Sequence, residues 1–92
     1  SEEPQKDGEI ESNRLFEEFC ARHALSPRES QVARLLFEGH TRRDIESALG
    51  VSEGTVRTYV SRTYDKLGVH SRSEIRHLFE RELIENNHSH DL

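Results

Sequence analysis

An all-α fold is predicted by three features of this sequence. Helix-start signals recur: Ser26-Pro27-Arg28-Glu29, Thr41, Ser52 and Ser71-Arg72-Ser73-Glu74 each precede an apolar stripe. A short oxygen-bearing side chain at such a place satisfies backbone N–H groups that the first helical turn leaves unpaired. Helix-stop signals answer them, with Gly39, Gly50 and Gly68 just past the stripes, where a left-handed residue commonly closes a helix. Finally, no segment alternates apolar and polar residues with the period of two that marks a half-buried strand.

Each element follows from its own pattern. Residues 1–9, SEEPQKDGE, are polar and unpatterned, and a disordered leader or linker end is expected there. From Ile10, the residues Leu15, Phe16, Phe19 and Ala24 recur at helical spacing and predict a helix over 10–24. Ser26 caps the next, with Pro27 at the position that tolerates a missing N–H and Val32, Leu35 and Leu36 as its stripe. Thr41 caps a short helix that buries Ile45 and Leu49, and Ser52 caps one running to about Leu67. The last helix opens at Ser71 and carries Ile75, Leu78, Phe79 and Leu83 on one face. It is expected to fade near Asn86-Asn87, leaving 87–92 as a frayed tail. Only about three residues around Gly50 separate the short helix from its successor. Two helices joined by a short turn with a glycine form a helix-turn-helix, whose second helix is free to enter a groove of DNA.

Composition narrows the function classes. The 92 residues are 32% hydrophobic and 34% charged, so one small helical domain is expected. The lone Cys20 excludes an internal disulfide and fits a reducing, cytoplasmic setting. No apolar run approaches the ~20 residues of a membrane span. The net charge of −5 is unevenly placed. Residues 1–25 hold three basic against seven acidic side chains, and 77–92 hold one against four. Residues 26–76 reverse the balance, with nine basic against seven acidic, which points to a central binding surface. The six histidines show no zinc-ligand spacing. No nucleophile–base set or phosphate-cradling loop stands out. No metal, cofactor, small-molecule ligand or catalytic residue is expected.

An α-helix turns ~100° per residue, which sorts the helix over 53–67 into two arcs. Val56, Val60, Thr63 and Leu67 fall on one arc, with Tyr64 at its edge; Thr58, Ser61, Arg62 and Asp65 fall opposite, flanked by Thr55 and Arg57. Arg57 offers the planar fork that bonds guanine O6 and N7, and Thr58 and Ser61 are short enough to meet base edges. Ser52, Thr55, Arg62 and Lys66 suit phosphate oxygens, which set register without reading sequence. Helix N-termini at Thr41 and Ser52 add N–H groups that favour anions. Asp65 lies about 15 Å along the axis from Thr55, which places it beyond the groove.

The residues 25–75, from Leu25-Ser26-Pro27-Arg28-Glu29 through Leu49-Gly50-Val51-Ser52 and Glu53-Gly54-Thr55-Val56 to Lys66-Leu67-Gly68-Val69 and Ser71-Arg72, resemble the LuxR/GerE-type DNA-binding domain of bacterial transcription regulators. The resemblance covers about Leu25 to Leu83. It implies a four-helix domain, here over 25–86 with an additional N-terminal helix, acting as the output domain of a regulator. It also implies homodimers on inverted repeats, paired through the helix over 72–86, and contact with the transcription machinery. Base contacts are implied for Arg57, Thr58 and Ser61, and phosphate contacts for positions near Thr41, Arg43, Thr55, Lys66 and Arg72. Glu29 is implied to be a structural partner of the recognition helix. Two positions depart from the pattern: Glu46 stands where a small alanine is favoured, and Ser61 is uncharged where basic pairs often flank the groove. They motivate an alternative, a helix-turn-helix used as a protein-interaction or dimerisation module with weak or no DNA binding.

Overall fold

The structure, a computed structural model, describes residues 7–90. It has five α-helices: α1 (Asp7–Arg22), α2 (Pro27–Phe37), α3 (Arg42–Leu49), α4 (Glu53–Leu67) and α5 (Arg72–His90). No strand occurs among the described residues. The caps form where the sequence places them. Ser26 Oγ accepts from Glu29 N at 3.1 Å while Glu29 Oε1 accepts from Ser26 N at 2.8 Å, a complete capping box. Thr41 and Asp44 repeat it on α3. At α5 the exchange is altered: Ser71 Oγ accepts from Glu74 N, but Glu74 Oε1 takes the His70 N–H instead of that of Ser71.

Three boundaries differ from expectation. Asp7–Glu9, assigned to the leader, are helical, and the rest of the leader lies outside the described residues. α1 stops at Arg22 because Ala24, expected on its apolar stripe, takes the left-handed conformation with φ +57°. The N–H groups of Ala24 and Leu25 turn back onto the carbonyls of Ala21 and Cys20, the hydrogen-bond pattern of a left-handed helix stop. A residue with a Cβ is strained there by about 1 kcal/mol, and no glycine marks this end in the sequence. At the other terminus α5 runs to His90, through Asn86-Asn87 and most of the expected tail. Asparagine is a weak helix former and not a breaker, and extending a nucleated helix is cheap. Residues 91–92 lie outside the described residues.

The core is shared by all five helices. Phe16, Phe19 and Cys20 of α1, Val32, Ala33 and Leu36 of α2, Ile45 of α3, Val56, Val60 and Leu67 of α4, and Ile75, Leu78 and Phe79 of α5 are buried together with Val69. Four phenylalanines form its aromatic end: Phe16 stands 5.4 Å from Phe19, 4.9 Å from Phe37 and 5.4 Å from Phe79, centroid to centroid. Edge-on contacts of Phe79 with Phe19 and Phe37 complete the set, the geometry aromatic rings prefer. Arg34 stacks 5.0 Å above Phe16 and donates to Asn13 Oδ1, and Arg76 stacks 4.2 Å above Phe37. At the end of α1, Arg22 and His23 both reach Glu82 of α5 at 2.8 Å. The additional helix is therefore built into the core.

Candidate nucleic-acid interface

Between α3 and α4 the chain has only Gly50, Val51 and Ser52. Gly50, at φ +68°, closes α3 and sends its N–H to the Glu46 carbonyl at 2.8 Å. Ser52 is already extended and caps α4. With the turn so short, the two helices hold a fixed relation. Val56, Val60, Thr63 and Leu67 are at most 5% exposed and seal one side of α4 against the domain. Arg57, Thr58, Ser61, Arg62 and Asp65 are exposed on the other. Both arcs stand as the 3.6-residue period arranges them. Thr63 Oγ1 is buried and has no hydrogen-bond partner among the described residues.

The start of α4 is preorganised. Ser52 Oγ accepts from Thr55 N at 3.3 Å and donates to Thr55 Oγ1 at 3.1 Å, leaving the half-buried Thr55 hydroxyl its own proton to donate outward. Thr58 Oγ1 donates to the Gly54 carbonyl at 3.2 Å, keeping its lone pairs free. The Arg57 guanidinium, 66% exposed, lies 3.4 Å from Glu53 Oε2 one turn earlier. Arg43, Ser61 and Arg62 are exposed and make no side-chain hydrogen bond among the described residues. Arg72 is half-buried at the head of α5. At the head of α3, the Thr41 N–H and hydroxyl hold Asp44, and these bonds keep the Asp44 carboxyl below its usual range.

Lys66 stands apart from this group. Its ammonium donates to Glu29 Oε1 at 2.8 Å and to the Ala24 carbonyl at 3.1 Å. Glu29 is buried, and the bonds from Lys66 and from Ser26 N hold its carboxyl below the ordinary glutamate value. The structural partnership implied for Glu29 is present, and it engages a lysine that the sequence assigns to phosphate.

Some neighbours of the face were not legible in the sequence. A shallow cleft of about 250 Å³ beside α4 is lined by Arg42, Arg57, Ser61, Tyr64, Asp65 and His70, among others. Asp65, placed beyond the groove by its axial rise, shares this cleft with Arg57 and Ser61. Arg42 and His70 come from α3 and the turn before α5, so only tertiary packing brings them to α4. Glu46 is half-buried on α3, and its carboxylate has no partner among the described residues. No helix among the described residues is long and apolar enough to cross a membrane.

The sequence model of the family described as bacterial regulatory proteins, luxR family, matches residues 23–79. A protein of Aeromonas salmonicida named as an HTH-type transcriptional regulator is 43% identical over 60 residues, 65% of this chain and 31% of the relative. The spore germination protein GerE of Bacillus subtilis is 42% identical over 57 residues, 62% of this chain and 77% of GerE. The two-component response regulator PprB of Pseudomonas aeruginosa is 41% identical over 51 residues, 55% of this chain but 18% of PprB. The chain thus spans under a third of the Aeromonas relative's length. No solved structure matches the chain. With the match running from just after α1 into α5, across the helix-turn-helix and its exposed row, the chain belongs to the luxR family of bacterial regulatory proteins as a DNA-binding helix-turn-helix domain of transcription regulation.

Proposed function

We propose that the domain reads DNA sequence by laying α4 in the major groove, with Arg57, Thr58 and Ser61 meeting base edges. Thr55, Arg43, Arg62, Arg72 and the capped N-termini at Thr41 and Ser52 hold the flanking phosphates. The observation that carries this reading is the division of α4: one side is sealed into the core and the other is an open row of Arg, Thr and Ser. Direct readout needs such a row, because base edges are reached only by side chains exposed on the face that enters the groove. Lys66 is left out of the contact set, since its ammonium already serves two acceptors inside the domain. Two copies are proposed to pair through α5, where Ile84 is 63% exposed, and so to match an inverted repeat. A cytoplasmic setting and contact with the transcription machinery accompany this reading.

Salt titration of duplex binding tests it. Each phosphate neutralised releases counterions, so affinity should fall steeply as salt rises, in proportion to the number of phosphates held. A salt-indifferent affinity would transfer the exposed row to a protein partner. Selecting bound duplexes from a random pool then reports half-site spacing and symmetry, and a single unrepeated half-site would remove the dimer.

A further inference from the structure

We propose that Lys66 is a positioning residue that ties the recognition helix to the joint between α1 and α2, so that α1 belongs to the DNA-reading unit. The proposal rests on the reading of α4 as the groove reader. Three elements meet at this ammonium. Its two acceptors are Glu29 Oε1, which also accepts the capping N–H of Ser26, and the carbonyl of Ala24, the left-handed residue that ends α1. The last turn of α4, the cap of α2 and the end of α1 therefore share one hydrogen-bonded node. Ala24 in turn is held by α1: the N–H groups of Ala24 and Leu25 bond to the carbonyls of Ala21 and Cys20. α1 is held by Phe16 and Phe19 in the core, and by Arg22 and His23 on Glu82 of α5. Withdrawing the last turn of α1 would carry the Ala24 carbonyl away from Lys66 and leave the end of α4 with one acceptor fewer.

The effect on DNA binding is selective. Bonds to base edges are directional and tolerate little rotation of the helix that carries them, whereas phosphate attraction is long-ranged and forgiving. A loosened α4 loses preference for its site before it loses general affinity. Loss of a phosphate contact acts in the opposite manner, weakening all duplexes alike and lowering the salt slope by about one.

The full chain carrying Lys66→Met, and separately Glu82→Ala, is compared with the unaltered chain. Affinities for a selected duplex and a random-sequence duplex are measured over a range of salt, together with amide hydrogen exchange. Lys66→Met should lower the ratio of preferred to random affinity by roughly tenfold, as losing a charge-assisted bond implies, with the salt slope unchanged. Equal loss on both duplexes with a shallower slope would make Lys66 a phosphate contact and overturn the proposal. Glu82→Ala releases Arg22 and His23 without touching α4, and decides the matter if the Lys66 variant does not fold. It should speed exchange along the last turn of α1 and lower the same ratio. Faster exchange in α1 with an unchanged ratio overturns the coupling. Should the unaltered chain prefer no duplex, the groove reading itself has failed. The node is then judged by exchange alone: Lys66→Met must speed exchange of the Leu25 and Ser26 amides, and unchanged rates there overturn it.

Discussion

Arg57 sits on the open row of α4 with its nearest carboxylate, Glu53, at 3.4 Å. A pair so exposed contributes little to stability, so replacing Arg57 should leave folding intact. Arg57→Ala is expected to lose about 1–3 kcal/mol on the preferred duplex and to relax the preference at one base position. Selection of bound sequences with each protein checks this, and a uniform loss on random duplexes would move Arg57 to the phosphate backbone. On the opposite side of the helix, Thr63 buries a hydroxyl that no described residue satisfies. Thr63→Val keeps the shape and removes the unpaired oxygen. It should raise stability by about 1 kcal/mol in thermal unfolding and leave DNA affinity unchanged. Both rows of α4 were legible in the sequence because burial follows the helical period. The partner of Lys66 was not legible from spacing, since Glu29 lies 37 positions away and only the packing of α2 on α4 brings them together. Local chemistry at Lys66 suggested a phosphate; tertiary geometry supplied a carboxylate and a carbonyl.

Helix starts were the most readable elements. A serine or threonine followed three places on by an acid states its own geometry, and at α2 and α3 both halves of that exchange form. The end of α1 was misplaced because a left-handed alanine carries none of the signal that a glycine does. Its place in the fold was also hidden. Apolar spacing announces a helix, but it does not say which neighbour receives the apolar side. In the structure Phe16 and Phe19 meet Phe37 and Phe79 from α2 and α5. Phe19→Ala should therefore destabilise the whole domain by about 3–5 kcal/mol. Denaturant unfolding followed by both helical signal and DNA binding gives the check, and a change under 1 kcal/mol would mean that α1 is dispensable. Against a total of about 5–15 kcal/mol for a typical domain, the expected loss is large.

On the scale of the molecule, three carboxylates among the described residues are held below their ordinary range, each for a different reason. Glu29 is held by Lys66 and by the Ser26 N–H, and Asp44 by its cap with Thr41. At Glu82 burial pushes upward, but the bonds and charges of Arg22 and His23 outweigh it. A depressed folded value means that stability is present above the unfolded value, about 3.9 for Asp and 4.3 for Glu. That stability is lost as pH falls through the folded values. The domain should therefore lose melting temperature as pH falls below about 4. Glu29→Gln should lower the melting temperature at pH 7 and flatten the acid limb. An acid limb as steep as that of the unaltered chain would show that Glu29 does not contribute to it. The uneven charge along the chain, basic over 26–76 and acidic on both sides, was plain from composition. The α1–α5 clamp on Glu82 depends on residues 59 and 60 positions apart, and no local pattern announces it.

Half of the aromatic cluster, Phe16 and Phe19, precedes the first residue that the family's pattern covers. A chimaera made by grafting the segment from His23 onward to a foreign sensor would leave Phe37 and Phe79 facing water, and such a graft invites self-association. Protein engineers borrowing this reader should cut the chain ahead of Asp7 and carry the leading helix with it.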